Sequence, residues 1–219
     1  MAFKKHDFIE IEYTGRLKDD NSVFDTTDEK LAKESKIDDG RSRFGSVIVC
    51  LGEGQLVSGL EKGLEGKELG THKFELKPEE SFGKKSSKLI QLVPTQKFLE
   101  KNIKPFPGLQ LNIDGAIGTV RTVSGGRTIV DFNNPLAGKD VVYELKVLRI
   151  VTDPKEKVKS LLGENIPADF KEGKLTLTIE THDLSEDAAE QLKNKIKDVI
   201  SEVKEVELKH PEHEKKVVV

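Results

Sequence analysis

Residues 52–64 read GEGQLVSGLEKGL, a glycine-rich run of the kind that elsewhere wraps phosphate at the start of a helix. Gly54 and Gly59 have the glycine spacing of a P-loop, but Leu60 and Glu61 stand where that loop needs Lys and then Ser or Thr. The dinucleotide pattern fails too, because no glycine stands at its last position, and Glu53, Glu61 and Glu65 would repel an anion with no Arg in the stretch to offset them. Leu56, Val57, Leu60 and Leu64 instead recur at helical spacing, which predicts a short helix with one apolar face. Gly59 and Gly63 let its backbone sit close to neighbouring strands, and its first turn could form the floor of a shallow apolar pocket.

Other reactive side chains offer little. Cys50 lies in the apolar run Val47–Leu51, so a buried thiol is expected rather than a nucleophile. A single cysteine rules out an internal disulfide framework and suits a reducing compartment. His210 and His213 sit in a charged tail, two ligands where a closed metal site needs more. His6, His72 and His182 are scattered. No metal and no cofactor is therefore expected. Tyr13, Phe24, Phe82 and Tyr143, taken singly, read as ordinary strand or core aromatics, and Asp25 as a helper for a following helix N-terminus.

The elements that must position these residues alternate in type. Phe8–Gly15 has the two-residue period of a half-buried strand ending at a glycine turn, and Ser22–Asp25 is a second short strand. Thr26–Glu29 reads as a capping box with Thr26 as N-cap. Ser46–Leu51 and Lys73–Leu76 are further strands. Strands are expected at Leu89–Val93, Leu109–Ile113 and Ala116–Val123, with a short helix at Thr95–Lys101. Val141–Ile150 is the longest strand signal, with Tyr143, Leu145 and Val147 on one face. Asp153-Pro154 caps a helix, Leu175, Leu177 and Ile179 alternate in a strand, and Ser185 caps an amphipathic helix that precedes a strand at Val206–Leu208.

With 219 residues, 34% charged and 35% hydrophobic, and a net charge of −3, the chain suits a soluble protein of one large or two modest domains. No polyelectrolyte partner follows from that balance. The N-terminus lacks an apolar signal core, and no stretch approaches the ~18 apolar residues of a membrane span, so a cytoplasmic location is expected. Residues 84–128 carry a net charge of +6 between acidic flanks, which suggests a small domain tethered at both ends. Residues 151–219, net −4, read as a separate α+β unit whose one-faced helix and sheet need a cover. A second copy of the chain is one cover they could take.

Five segments stand in an order that resembles the FKBP-type peptidyl-prolyl cis-trans isomerases: IEYTG (11–15), VFD (23–25), GEGQLVSGLEKGL (52–64), PEESFG (78–83) and NPLAG (134–138). The piece inserted after Gly83 is similar to that of the SlyD-like and archaeal long-chain branch. The resemblance covers about 1–83 and 129–150. It implies an α+β fold: a twisted antiparallel sheet wrapped on a short helix (1–83 and 129–150), a small inserted β-rich domain (84–128) and a C-terminal α+β domain (151–219). The implied pocket is lined by Tyr13, Phe24, Asp25, Val47, Leu56, Val57, Leu60, Phe82, Leu136 and Tyr143, with the Val57 amide holding a peptide carbonyl. Leu60 replaces a Trp common in the family and Phe82 a Tyr, so the floor is less aromatic and one substrate hydrogen bond is lost.

The implied activity needs no nucleophile. Rotation about an X-Pro bond faces a barrier of about 18–20 kcal/mol because resonance gives the C–N bond double character. An apolar cleft disfavours the charge-separated planar amide and binds the twisted form. The Asp25 carboxylate could add electrostatic help.

In this branch the insert resembles a chaperone domain. Leu89, Leu92, Phe98, Phe106 and Leu109 supply apolar surface, some for its own core and some for a client. The expected partners are unfolded or proline-containing polypeptides. Nucleic acid is not expected, because the insert lacks an aromatic-interleaved basic stripe. A holdase with weak or vestigial isomerase activity is the alternative reading.

Overall fold

A computed structural model describes residues 2–37, 44–113, 115–163, 166–179 and 185–209. They form two compact units, 1–74 with 142–219, and 75–141.

The first unit is built on the expected alternation. Strand β1 (Phe8–Leu17) buries Phe8, Ile9 and Ile11, and β2 (Val23–Thr26) pairs antiparallel with its C-terminal half. β1 does not stop at Gly15. It continues to Leu17 through an irregular register at Gly15/Arg16, so Gly15 is a strand residue opposite Asp25. Helix α1 (Glu29–Glu34) is capped by Asp28, whose carboxylate accepts from Leu31 N–H. Thr26, the expected cap, is buried and hydrogen-bonds Thr14 Oγ1 and the Tyr13 carbonyl instead. Strand β3 (Val47–Cys50) pairs antiparallel with the N-terminal half of β1.

Helix α2 covers only Ser58–Leu64 and buries Gly59, Leu60 and Leu64. Leu56 and Val57 precede it, Val57 in extended conformation as its N-cap. The helix lies so close to β4 (Gly70–Leu76) that a methyl at Gly63 would sit 2.6 Å from the Phe74 ring. Strand β9 (Val141–Ile150) completes a five-stranded sheet in the order β2-β1-β9-β4, with β3 also on β1. Its alternate residues Tyr143, Leu145 and Val147 are buried.

The second unit carries a four-stranded antiparallel sheet. Strand β5 (Ile90–Pro94), helix α3 (Thr95–Leu99), and strands β6 (Gln110–Ile113), β7 (Ala116–Ser124) and β8 (Arg127–Asp131) give the order β5-β8-β7-β6. The insert boundary expected at 128 cuts β8, a central strand too short to stand out in the sequence. Phe98, Val120 and Val130 form the core of this sheet, with Leu109 packed against it. Its base is tied by paired bonds: Asn133 Oδ1 accepts from Ser86 N–H, Asn133 Nδ2 donates to the Ser86 carbonyl, and Gly138 N–H donates to the Gly83 carbonyl.

The segment expected as a free-standing 151–219 domain shares a core with the first unit. Helix α4 (Pro154–Leu162), strands β10 (Ala168–Lys171) and β11 (Lys174–Thr178), helix α5 (Glu186–Val199) and strand β12 (Glu205–Lys209) bury Val158, Leu175, Leu177, Ile196, Val199, Ile200 and Val206 in one cluster. Phe8 and Cys50 belong to the same cluster. The apolar stripe of α5, for which a second copy of the chain is one possible cover, is thus covered from within. β11 and β12 run parallel, and their solvent side is polar.

Candidate active site

Tyr13, Phe24, Asp25 and Tyr143 come from three adjacent strands and meet on one face of the first unit. The pairing of Gly15 with Asp25 sets β1 and β2 side by side, and Tyr13 Oη donates to Asp25 Oδ2 at 3.0 Å. Phe24 meets Tyr143 edge to face, ring centroids 5.6 Å apart and planes at 89°. Tyr143 in turn lies 6.2 Å from the Tyr13 ring. An edge-to-face pair such as Phe24–Tyr143 contributes about 0.5–1.5 kcal/mol beyond its buried area.

Gly15 makes the cluster possible. A Cβ there would come within 2.7 Å of Phe24 Cζ and 2.9 Å of the Tyr143 ring. In the sequence this glycine looked like a turn, and only the strand's continuation reveals its packing role. Behind it the Tyr13 backbone is fixed on both sides: its N–H donates to Thr27 Oγ1, and its carbonyl accepts from Thr27 N–H.

Burial, and secondarily the Asp25 carboxylate, pushes the ionisation of both tyrosines well above its usual range. Tyr13 therefore stays a protonated donor to Asp25 through neutral pH. The four groups make an apolar, aromatic wall with one carboxylate at its edge, and none is disposed as a nucleophile. Cys50 is buried, and burial together with Glu53 and Glu61 pushes its thiol up to about 12. His210 and His213 lie outside the described residues.

The other expected pocket residues divide. Leu60 is 2% exposed on the inner side of α2, while Leu56 and Val57 are half-buried at its entry. No hydrogen bond among the described residues uses the Val57 N–H. Val47, half-buried, pairs with Ile11. Phe82 and Leu136 belong to the second unit, half-buried beside the Gly83–Gly138 bond at the base of the insert. Of the insert residues, Leu89, Leu92 and Phe106 are 44%, 57% and 57% exposed, whereas Phe98 is 5% exposed and belongs to the core of that sheet. Leu109 is likewise packed against that core.

Comparison with known proteins bears on this geometry. Residues 1–104 match the model of the FKBP-type peptidyl-prolyl cis-trans isomerase family, and 91–136 match the model described as FKBP26, IF domain. A short-type peptidyl-prolyl cis-trans isomerase of Methanocaldococcus jannaschii is 31% identical over 145 residues, 66% of this chain and 91% of that protein. The chain belongs to the FKBP-type peptidyl-prolyl cis-trans isomerase family. An FKBP-type 16 kDa isomerase of Escherichia coli is 33% identical over 126 residues, covering 52% of this chain and 85% of the relative. The SlyD isomerase of Haemophilus influenzae is 38% identical over 103 residues, covering 44% and 53%.

This FKBP-type chain is a peptidyl-prolyl cis-trans isomerase of SlyD-like kind. Its FKBP domain places the aromatic wall on the strands that carry IEYTG, VFD and VVYEL. Among the described residues no helix is long and apolar enough to cross a membrane.

Proposed function

We propose that the aromatic wall of Tyr13, Phe24 and Tyr143, with Leu56 and Val57, receives the prolyl ring, and that the insert captures the unfolded polypeptide carrying it. The observation that carries this reading is the Tyr13–Asp25 bond beside the Phe24–Tyr143 pair. It gives a rigid apolar surface with one oriented carboxylate and no proton-transfer apparatus. Such a surface suits rotation of an amide, whose twisted transition state has lost charge separation. The Val57 N–H, which donates no hydrogen bond among the described residues, can take the role of holding a carbonyl of the peptide.

Capture is supported by the chemistry of the insert. A cleft of about 350 Å³ there is lined by the apolar Val93, Phe98, Ile103, Leu111, Ile113 and Phe132 together with Gln91, Asn112, Lys97 and Lys101. No carboxylate among the described residues pairs with either lysine. Exposed Leu92, Phe106 and Ile117 extend the apolar surface of the same unit. The clients that fit are unfolded segments mixing apolar and acidic residues, met in the cytoplasm.

The decisive experiment is a proline-limited refolding reaction with substoichiometric full-length protein. Acceleration that falls to the level of small peptides when the insert is replaced by a turn supports both parts. Arrest of the client without acceleration would leave only a holdase.

A further inference from the structure

The turn that feeds helix α2 is bolted to the C-terminal segment. Gln55 uses both ends of its side-chain amide: Oε1 accepts from Cys50 N–H at 2.6 Å, and Nε2 donates to the Ser160 carbonyl at 2.8 Å, near the end of α4. Two residues earlier, Glu53, with its side chain 13% exposed, faces Lys195 Nζ of α5 at 3.0 Å and His6 Nε2 at 3.5 Å. Gly54 N–H donates to Glu61 Oε1 in the first turn of α2. Strand β3, both C-terminal helices and α2 thus converge on residues 53–55, directly before Leu56 and Val57.

We infer that Gln55 and Lys195 are positioning residues for isomerisation, through which the C-terminal segment sets the place of Leu56 and the Val57 amide. The inference rests on the proposed pocket, in which Val57 N–H holds a substrate carbonyl. Val57 itself has no side-chain cap bond and an extended backbone, so α2 alone does not fix it. The residues before it are fixed by side chains that reach across to α4 and α5. A carbonyl held equally in ground and transition states contributes to KM rather than to kcat. Loosening this brace should therefore raise KM and leave kcat nearly unchanged. Loss of stability alone would instead reduce the fraction of active enzyme, and so the apparent kcat.

Two variants of the full-length chain test this. Gln55→Glu keeps the acceptor for Cys50 N–H but replaces the donor to the Ser160 carbonyl with an oxygen that repels it. Lys195→Met removes the partner of Glu53 at a site where the lysine side chain is 58% exposed and its replacement is tolerated by packing. Each is expected to raise KM for a prolyl tetrapeptide about threefold, with kcat within about twofold of the parent. Each should also shift the Val57 amide resonance, and Lys195→Arg should restore both. An unmoved Val57 resonance with parental KM in both variants overturns the inference, wherever catalysis takes place. A separate Phe24→Ala variant reads the pocket itself: parental turnover there sinks the pocket. Impaired turnover there beside normal KM in the other two overturns only the brace.

Discussion

Tyr13 Oη donates a 3.0 Å hydrogen bond to Asp25 Oδ2 across the β1–β2 pair, two residues along β1 from Gly15, which pairs with Asp25 and whose lack of a Cβ makes room for Phe24. The bond locks the tyrosine ring beside Tyr143 and aims a carboxylate along the edge of an otherwise apolar wall. Tyr13→Phe keeps the ring and removes the donor. Since a hydrogen bond nets about 0.5–1.5 kcal/mol, kcat/KM on a small prolyl peptide should fall about two- to tenfold. Asp25→Asn can still accept from the hydroxyl and should cost less. A complete loss in Asp25→Asn, measured in a folded variant, would show the charge itself to be essential.

Gly15→Ala tests the close approach. The new methyl must displace the Phe24 ring, the Tyr143 ring, or both, because their atoms lie 2.7–2.9 Å from its position. Overpacking of this kind costs about 1–3 kcal/mol. We expect a folded protein with lowered melting temperature and isomerase activity reduced about tenfold or more. A variant with parental activity would mean that the Phe24–Tyr143 geometry is not what binds proline.

The tyrosines also predict an alkaline limit. Burial raises their ionisation above the unfolded-state value near 10, so the folded chain holds these protons more tightly than the unfolded one. Stability from this source is fully present below about pH 10 and declines as pH rises from there through the folded-state values. At the acid end the sign reverses. Hydrogen bonding from Ser46 and Arg149 lowers Glu10, and hydrogen bonding from Arg149 lowers Glu156. Their contribution is present above about pH 4.5 and is lost as pH falls. Chemical denaturation midpoints should be flat between about pH 6 and 9 and drop on both sides. Tyr13→Phe should soften the alkaline drop.

Much of this was legible in the sequence because the strands are amphipathic and the caps are conventional. β9 was read residue for residue, and Asp153 and Ser185 cap α4 and α5 as expected. The misreadings have local physical causes. Thr26 looked like a cap because its spacing to Glu29 fits a capping box, but its hydroxyl is taken by β1, and Asp28 does the work. Leu56 and Val57 fit a helical stripe although both precede α2, Leu56 in a bend and Val57 as its extended N-cap. Strand β8 is a five-residue piece beside a Gly-Gly turn, visible only through its partners β5 and β7. The cover for α5 could not be read at all, since Phe8 and Cys50 are distant in sequence and join its core only in the fold.

The insert can be removed at its base. Gly138 N–H and the Gly83 carbonyl are already joined at 2.8 Å, so a short turn replacing 85–137 closes the chain without spanning a gap. The deletion takes the whole sheet β5-β8-β7-β6 with its core of Phe98, Val120 and Val130, rather than cutting β8 as an end at 128 would. It also takes Leu136, so the small-peptide rate serves as the internal reference. Turnover of a prolyl tetrapeptide should stay within about threefold of the parent, while catalysis of a proline-limited refolding reaction should fall about tenfold or more, because the client is no longer held at raised local concentration. Replacing only Lys97 and Lys101 with Ser should weaken binding of acidic clients selectively and make the remainder less sensitive to salt. Equal loss on both substrates would place the insert's contribution in the pocket rather than in capture.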